Sequence, residues 1–240
     1  MMQLGILQCD AVAPDVRSIF GDYPDMFRRL FTAVNPDLRF RVYNLLEGER
    51  PLSPLECDAW LFTGSKWSVY DDETWISGAH EIARELHEAC RPTIGICFGH
   101  QLIARALGGR VEKAAEGWGV GVHTARVLQQ REWMKPARRT MSLLVSHQDQ
   151  VTVLPPGAEL LASHAFCPYD TLQIDNHMLT FQGHPEFPKS YLQYIMRNRR
   201  ERLGEDTYQE GMASLSSPTE EDVAASWILR FLERAKVRAA

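Results

Sequence analysis

The sequence predicts an α/β fold: a single three-layer domain on a mostly parallel central sheet, with mixed or antiparallel strands added. Two observations carry this. Up to Gly109, short apolar runs alternate with stretches of helical periodicity, the order that gives a parallel sheet with right-handed crossovers. Beyond Gly109, short strand candidates follow one another with turn residues between them. At 240 residues, with 45% hydrophobic and 24% charged residues, the chain suits one large α/β domain or two small ones. No repeat, low-complexity segment or linker divides it. We read residues 1–240 as one domain, with a core over about 1–203 and a helical extension over about 205–240.

The elements follow in order. Leu4–Leu7 is the first strand, and a loop with Pro14 and Gly21 comes after it. Tyr23–Val34 carries a helical stripe of Met26, Phe27, Leu30, Phe31 and Val34, opened by Pro24. Phe40–Leu45 is the second strand, Pro51–Cys57 a proline-rich connection and Ala59–Phe62 the third strand, running into Thr63-Gly64-Ser65. Trp75–Cys90 is a helix with Ile76, Ala79, Ile82, Ala83 and Leu86 on its apolar side. Thr93–Ile96 is a strand bounded by Pro92. Leu102–Leu107 has apolar residues at helical spacing and stops at Gly108-Gly109.

The later strands are Val111, Gly119–Val127, Met141–Val145, Val151–Leu154, Glu159–Ala162, Thr171–Ile174 and Met178–Phe181. A helix spans Tyr191–Leu203. Ser217-Pro218-Thr219-Glu220 opens the last one, with Thr219 or Ser217 as N-cap and Pro218 near the first position. Its stripe of Val223, Ala224, Trp227, Phe231 and Leu232 suits either closure of the sheet's face or contact with a second copy.

Charge and cysteine usage narrow the function classes. The net charge is −5 and no basic block exists, so nucleic-acid binding lacks electrostatic support. Arg197-Asn198-Arg199-Arg200 reads as a solvated helix face that complements the dipole. Five cysteines without a Cys-x-x-Cys pair argue for a reducing compartment and against a zinc site. His80 and His87 lack the i, i+4 spacing of a helical metal pair. No run approaches the length of a membrane span, and the N-terminus has no signal-peptide pattern. The expectation is a cytoplasmic protein that binds neither nucleic acid nor membrane.

Cys97 sits between the strand Thr93–Ile96 and the following helix, flanked by Gly95 and Gly99. That is the nucleophile-elbow pattern with sulfur in place of oxygen. The glycines relieve crowding where strand turns directly into helix, and the helix N-terminus favours thiolate. A buried structural cysteine fits the same pattern. A thiol nucleophile needs a base, and the base needs an orienter. His184 follows the strand Met178–Phe181, Pro185 sets an extended exit, and Glu186 lies two residues on. A surface loop would account for this stretch alone equally well. Strand polarity brings Thr63-Gly64-Ser65 and Cys97 to the carboxyl edge of the sheet, where open parallel sheets bind ligands.

Gly-Ile-Cys-Phe-Gly-His-Gln at 95–101 with Gly-His-Pro-Glu at 183–186 resembles the class I glutamine amidotransferase domain, over most of the chain to about residue 190. The resemblance implies a flavodoxin-like fold, Cys97 as nucleophile, His184 as base then acid, and Glu186 as its orienter. It implies an oxyanion hole from the N–H groups of Phe98 and Gly64, and places Gln101 at the glutamine. Ser146-His147-Gln148-Asp149 resembles the loop that lines the glutamine site in members similar to the amidotransferase half of GMP synthase. His147 is thereby the rival for the base. Gly117-Trp118-Gly119 suits either a wall of the same pocket or core packing.

No phosphate loop or synthetase domain accompanies these motifs. The expected reaction is thiol-dependent hydrolysis of a γ-glutamyl amide, glutamine to glutamate and ammonia, with the ammonia passed to a synthase in trans. A free-standing hydrolase resembling the γ-glutamyl peptidases is the alternative, and a non-catalytic binding module is a third. The segment 66–72 is longer and more aromatic than a minimal loop. It suits a pocket for a larger γ-glutamyl substrate or a surface loop anchored by Trp67. No metal or cofactor is implied.

Overall fold

Strand-by-strand alternation explains how the sheet acquires helices on both faces. In the computed structural model, which describes residues 2–239, the strand β1 (Gln3–Gln8) turns Leu4 and Ile6 to one side and Leu7 to the other. After β1 come α1 (Pro14–Phe20), α2 (Tyr23–Thr32), β2 (Arg39–Asn44), β3 (Ala59–Phe62), α3 (Thr74–Glu88), β4 (Thr93–Ile96) and α4 (Phe98–Ala106). The later elements are β5 (Arg110–Lys113), β6 (Gly119–Val127), β7 (Thr140–His147), β8 (Asp149–Val153), β9 (Ala158–Ser163), β10 (Thr171–Ile174) and β11 (Met178–Phe181). Four helices close the chain: α5 (Lys189–Asn198), α6 (Arg200–Leu203), α7 (Glu205–Ser214) and α8 (Glu221–Ala239).

The main sheet has the order β2-β1-β3-β4-β11-β10-β9-β6-β7. Its pairings are parallel from β2 through β11 and antiparallel from β11 to β7. The strands β5 and β8 form a separate antiparallel pair. Ala59 and Leu61 of β3 join Phe27 and Phe31 of α2 and Trp227 and Phe231 of α8 in one core layer. Trp60 and Phe62, alternate residues of the same strand, join Ile82 and Leu86 of α3 and Leu102 and Ile103 of α4 in the other. This is the expected three-layer α/β domain, and α8 closes a sheet face. No helix among the described residues is long and apolar enough to cross a membrane.

Several local expectations change. The loop holding Pro14 contains the helix α1, which buries only Val16. One buried side chain leaves no periodicity to read, although Pro14 suits a first helical position. The helix expected from Leu102 begins at Phe98, directly after Cys97. The helix expected over Tyr191–Leu203 breaks at Arg199, where α5 ends and α6 begins.

The last helix starts at Glu221, so neither Ser217 nor Thr219 caps it and Pro218 lies outside it. The Glu220 carbonyl accepts the first helical bond, from Ala224 N–H. Glu220 is itself fixed to β7, exchanging backbone and side-chain bonds with Ser142 and an ion pair with Arg138. Docking of the chain on β7 therefore sets where α8 begins.

Candidate active site

Cys97 leaves β4 at φ 52 and ψ −101 and stands at the head of α4. A non-glycine residue at positive φ is strained and persists only where its surroundings hold it. Here the Cys97 N–H donates to the Phe181 carbonyl of β11 at 2.8 Å, and its carbonyl accepts from Gln101 N–H at 3.0 Å. The flanking glycines are needed for close approach. A Cβ on Gly95 would lie 2.6 Å from the Gly99 carbonyl oxygen, and one on Gly99 would lie 2.5 Å from that of Phe62. Strand β4, helix α4 and the end of β3 thus meet backbone to backbone around the thiol.

β11 lies beside β4 in the sheet, and His184 follows its carboxyl end. The His184 N–H donates to the Leu144 carbonyl at 2.7 Å, which ties the loop to β7. Its Nδ1 lies 2.8 Å from Glu186 Oε1, and both side chains are buried. Phe187 stacks on the imidazole with centroids 3.9 Å apart and planes 8° apart. Burial by itself would depress the His184 pKa. The Glu186 carboxylate and Cys97 outweigh it, and the imidazole is held well above its ordinary value. With Nδ1 engaged by Glu186, Nε2 is the nitrogen left for the sulfur.

Gly64 follows β3, the neighbour of β4 on the other side. A Cβ there would lie 2.7 Å from His184 Cε1 and 3.7 Å from Cys97 Cβ, so this backbone borders both the imidazole and the thiol-bearing residue. Phe98 is the first residue of α4, where a backbone N–H has no acceptor within the helix. Its ring is buried against Trp75. Three adjacent strands, β3, β4 and β11, thus deliver Gly64, Cys97 and His184 to one edge.

A cleft opens over Cys97, lined by Gln101, Ser146, His147, Gln148 and Asp149 among others. The Gln101 amide donates to the Asp149 carbonyl at 2.7 Å and to Gln182 Oε1 at 3.1 Å. His147 is turned into the wall, with Nδ1 3.0 Å from the Asp149 carbonyl oxygen, and burial lowers its pKa to about 3. It has no carboxylate partner of the kind His184 has. The Asp149 carboxylate accepts from Ser68 Oγ at 2.5 Å and Tyr70 OH at 2.9 Å. Segment 66–72 is therefore docked on the 146–149 segment and forms part of the cleft. Trp118 also lines it, as one of the two readings of that residue expected.

Several contributors carry no sequence signal of their own. Asp10, at the end of the β1 edge, holds the loop after Gly64 by accepting from Lys66 N–H at 2.9 Å and pairing with its ammonium at 3.2 Å. Arg199, expected on a solvated face, lines the cleft, within reach of Ser146 Oγ at 3.4 Å and over the Trp118 ring. The break between α5 and α6 turns it inward. Arg202 sits over the same ring at 4.8 Å. Phe187 could have been suspected as an aromatic next to His-Pro-Glu. The other three are joined to the site only through space.

The model of the class-I glutamine amidotransferase family matches residues 48–199. Gamma-glutamyl peptidase 3 of Arabidopsis thaliana is 29% identical over 187 residues, covering 74% of each chain. The GMP synthase [glutamine-hydrolyzing] of Streptococcus mutans is 30% identical over 142 residues, 58% of this chain and 26% of that enzyme. Among solved structures, a glutamine amidotransferase from Thermotoga maritima superposes with a TM-score of 0.74 at 17% identity, covering 98% of this chain and 99% of that one. With a family model spanning more than half its length, the chain belongs to the class I glutamine amidotransferase family.

Proposed function

We propose that the chain hydrolyses a γ-glutamyl amide through a γ-glutamyl thioester on Cys97. The observation that carries this reading is the strained Cys97 at the head of α4, facing an imidazole whose Nδ1 lies 2.8 Å from the buried Glu186. The Cys97 thiolate attacks the γ-carbonyl carbon, and the N–H groups of Phe98 and Gly64 donate to the oxyanion. His184, protonated on Nε2, gives that proton to the leaving nitrogen as the C–N bond breaks. Water then attacks the thioester, His184 takes its proton, and glutamate leaves as the thiolate re-forms. Glu186 keeps the ring oriented and favours the imidazolium in both steps. Gln101, Ser146, His147, Gln148 and Asp149 hold the glutamyl end.

With glutamine the leaving group is ammonia, which a separate synthase can take in trans. The likeness to a GMP synthase over 26% of that enzyme supports this arrangement. A second reading is cleavage of γ-glutamyl peptides. Arg199, Arg202 and Lys113 line the cleft, and among the described residues none of the three is ion-paired. A positive wall suits a leaving group that carries a carboxylate, and the peptidase relatives lend it weight.

An electrophilic glutamine analogue should label Cys97 alone, and Cys97→Ser should be unlabelled and inactive. Labelling elsewhere, or an active Cys97→Ser enzyme, would refute the thioester. Ammonia released from glutamine, compared with amino acid released from γ-glutamyl peptides, separates the two substrate readings. Turnover of neither with intact binding would favour a non-catalytic module.

A further inference from the structure

On the sheet edge opposite Cys97, three side chains with metal-ligating atoms converge. The hairpin Asp175-Asn176-His177 joins β10 to β11, and His87, in the last turn of α3, lies against it. His177 precedes the amino end of β11, whereas His184 follows its carboxyl end. At roughly 3.3 Å per residue the strand itself separates this cluster from the thiol.

His177 Nε2 and His87 Nδ1 are 3.1 Å apart, and the ring centroids are 5.0 Å apart. Asp175 Oδ2 is 3.8 Å from His87 Nε2. One ligand atom from each of the three residues can be chosen so that all lie within 4.8 Å of one another. In a tetrahedral zinc site, with bonds of about 2.0–2.1 Å, neighbouring ligand atoms are about 3.3 Å apart. The two nitrogens already have that spacing. The Asp175 carboxylate approaches the other His87 nitrogen, Nε2, and its half-exposed side chain swings to reach an ion held by His87 Nδ1 and His177 Nε2.

The backbone that carries these ligands is set in advance. His177 accepts from Thr93 N–H at 2.7 Å, Asp175 N–H donates to Gly157 at 3.0 Å, and the Asp175 carbonyl accepts from Gln173 at 2.7 Å. His177 is buried, and His87 and Asp175 open the cluster to solvent.

We propose that His87, His177 and Asp175 form a binding site for a divalent transition ion, with water completing the coordination, that ties the end of α3 to the β10–β11 hairpin. Two imidazoles and one carboxylate are a zinc-type donor set, and the nitrogen donors disfavour calcium and magnesium. Without metal, one ring donates its N–H to the other. On binding, that ring moves its proton to its second nitrogen, so both present a lone pair. The site stands apart from the thiol chemistry and does not depend on it.

The test is titration of the full chain with Zn(II), and with Co(II) read by visible absorption. One ion should bind per chain, without a thiolate charge-transfer band, and Zn(II) should raise the thermal midpoint. His177→Ala and His87→Ala should each weaken binding about a hundredfold or more, beyond the roughly 10- to 100-fold that loss of an outer partner costs. The His87 side chain is 29% exposed and lies outside the core clusters, so its variant tests the site without disturbing the core. Cys90→Ser and Cys97→Ser should bind unchanged. The absence of stoichiometric binding, binding indifferent to both histidine variants, or binding lost with either cysteine overturns the proposal.

Discussion

Replacing Glu186 by Gln removes a charge while keeping the shape, and it tests how the imidazole is used. Glu186 Oε1 meets His184 Nδ1 at 2.8 Å, and neither side chain is more than 4% exposed. A hydrogen bond to a charged group contributes about 1.5–3 kcal/mol. If the imidazolium is the acid that protonates the leaving nitrogen, that loss appears in the barrier as a fall in kcat of roughly 10- to 150-fold. A second effect falls on stability. Glu186 Oε2 is buried without a partner, so the new amide N–H₂ sits where nothing accepts from it, costing about 1–3 kcal/mol.

The two effects separate by pH. His184 has a folded-state pKa raised above the unfolded value, so the pairing with Glu186 stabilises fully below the unfolded pKa and is lost as pH rises through the folded one. The stability gap between parent and Glu186→Gln should therefore narrow at alkaline pH to the contribution of the unpaired amide. Glutaminase or peptidase kinetics, with denaturant unfolding across pH, read both. A variant that keeps its kcat, or whose stability gap is constant through the alkaline range, would refute the proposed role of the pair.

Two further outcomes follow from the same geometry. Gly64→Ala places a Cβ 2.7 Å from His184 Cε1, so the loop or the ring must move. Turnover should fall by about 10²-fold or more, the scale of a lost oxyanion donor, with circular dichroism unchanged. Asp170 is buried, which raises its pKa to about 6 despite a bond from the Thr171 hydroxyl. Its contribution to stability is full below its unfolded pKa and lost as pH rises through about 6. Asp170→Asn should accordingly gain up to about 3 kcal/mol over the parent at neutral pH and flatten unfolding stability between about pH 4 and 6. Equal pH slopes in urea denaturation would contradict this.

Most of the elements were readable because their periodicity is local. Ala59–Phe62, Thr93–Ile96, Gly119–Val127, Thr171–Ile174 and Met178–Phe181 occupy the residues their apolar runs mark. The helix α1 buries a single side chain and so leaves no periodicity to read. By contrast, α8 begins where Glu220 docks on β7, and Arg199 turns inward where α5 breaks. In these two cases a contact distant in sequence accompanies the local boundary. His87 and His177 likewise have no sequence spacing that relates them, and they meet because α3 ends beside the hairpin of β10 and β11.

The sequence by itself determined the α/β class and the strand-to-helix turn at Cys97. The strain at that turn and the close approach allowed by Gly95 and Gly99 are properties of a few consecutive residues. The neighbourhood of Glu186 to His184 was set in the same way, by a separation of two residues. Tertiary structure alone decided that β11 lies next to β4, with Phe181 opposite Ile96, which brings His184 to the thiol. It also decided that Phe187 stacks on the imidazole and that Asp10, Ser68, Tyr70 and Arg199 build the cleft. Strand order is settled by satisfying backbone hydrogen bonds and burying apolar faces over the whole sheet at once. No short stretch of the chain contains that information.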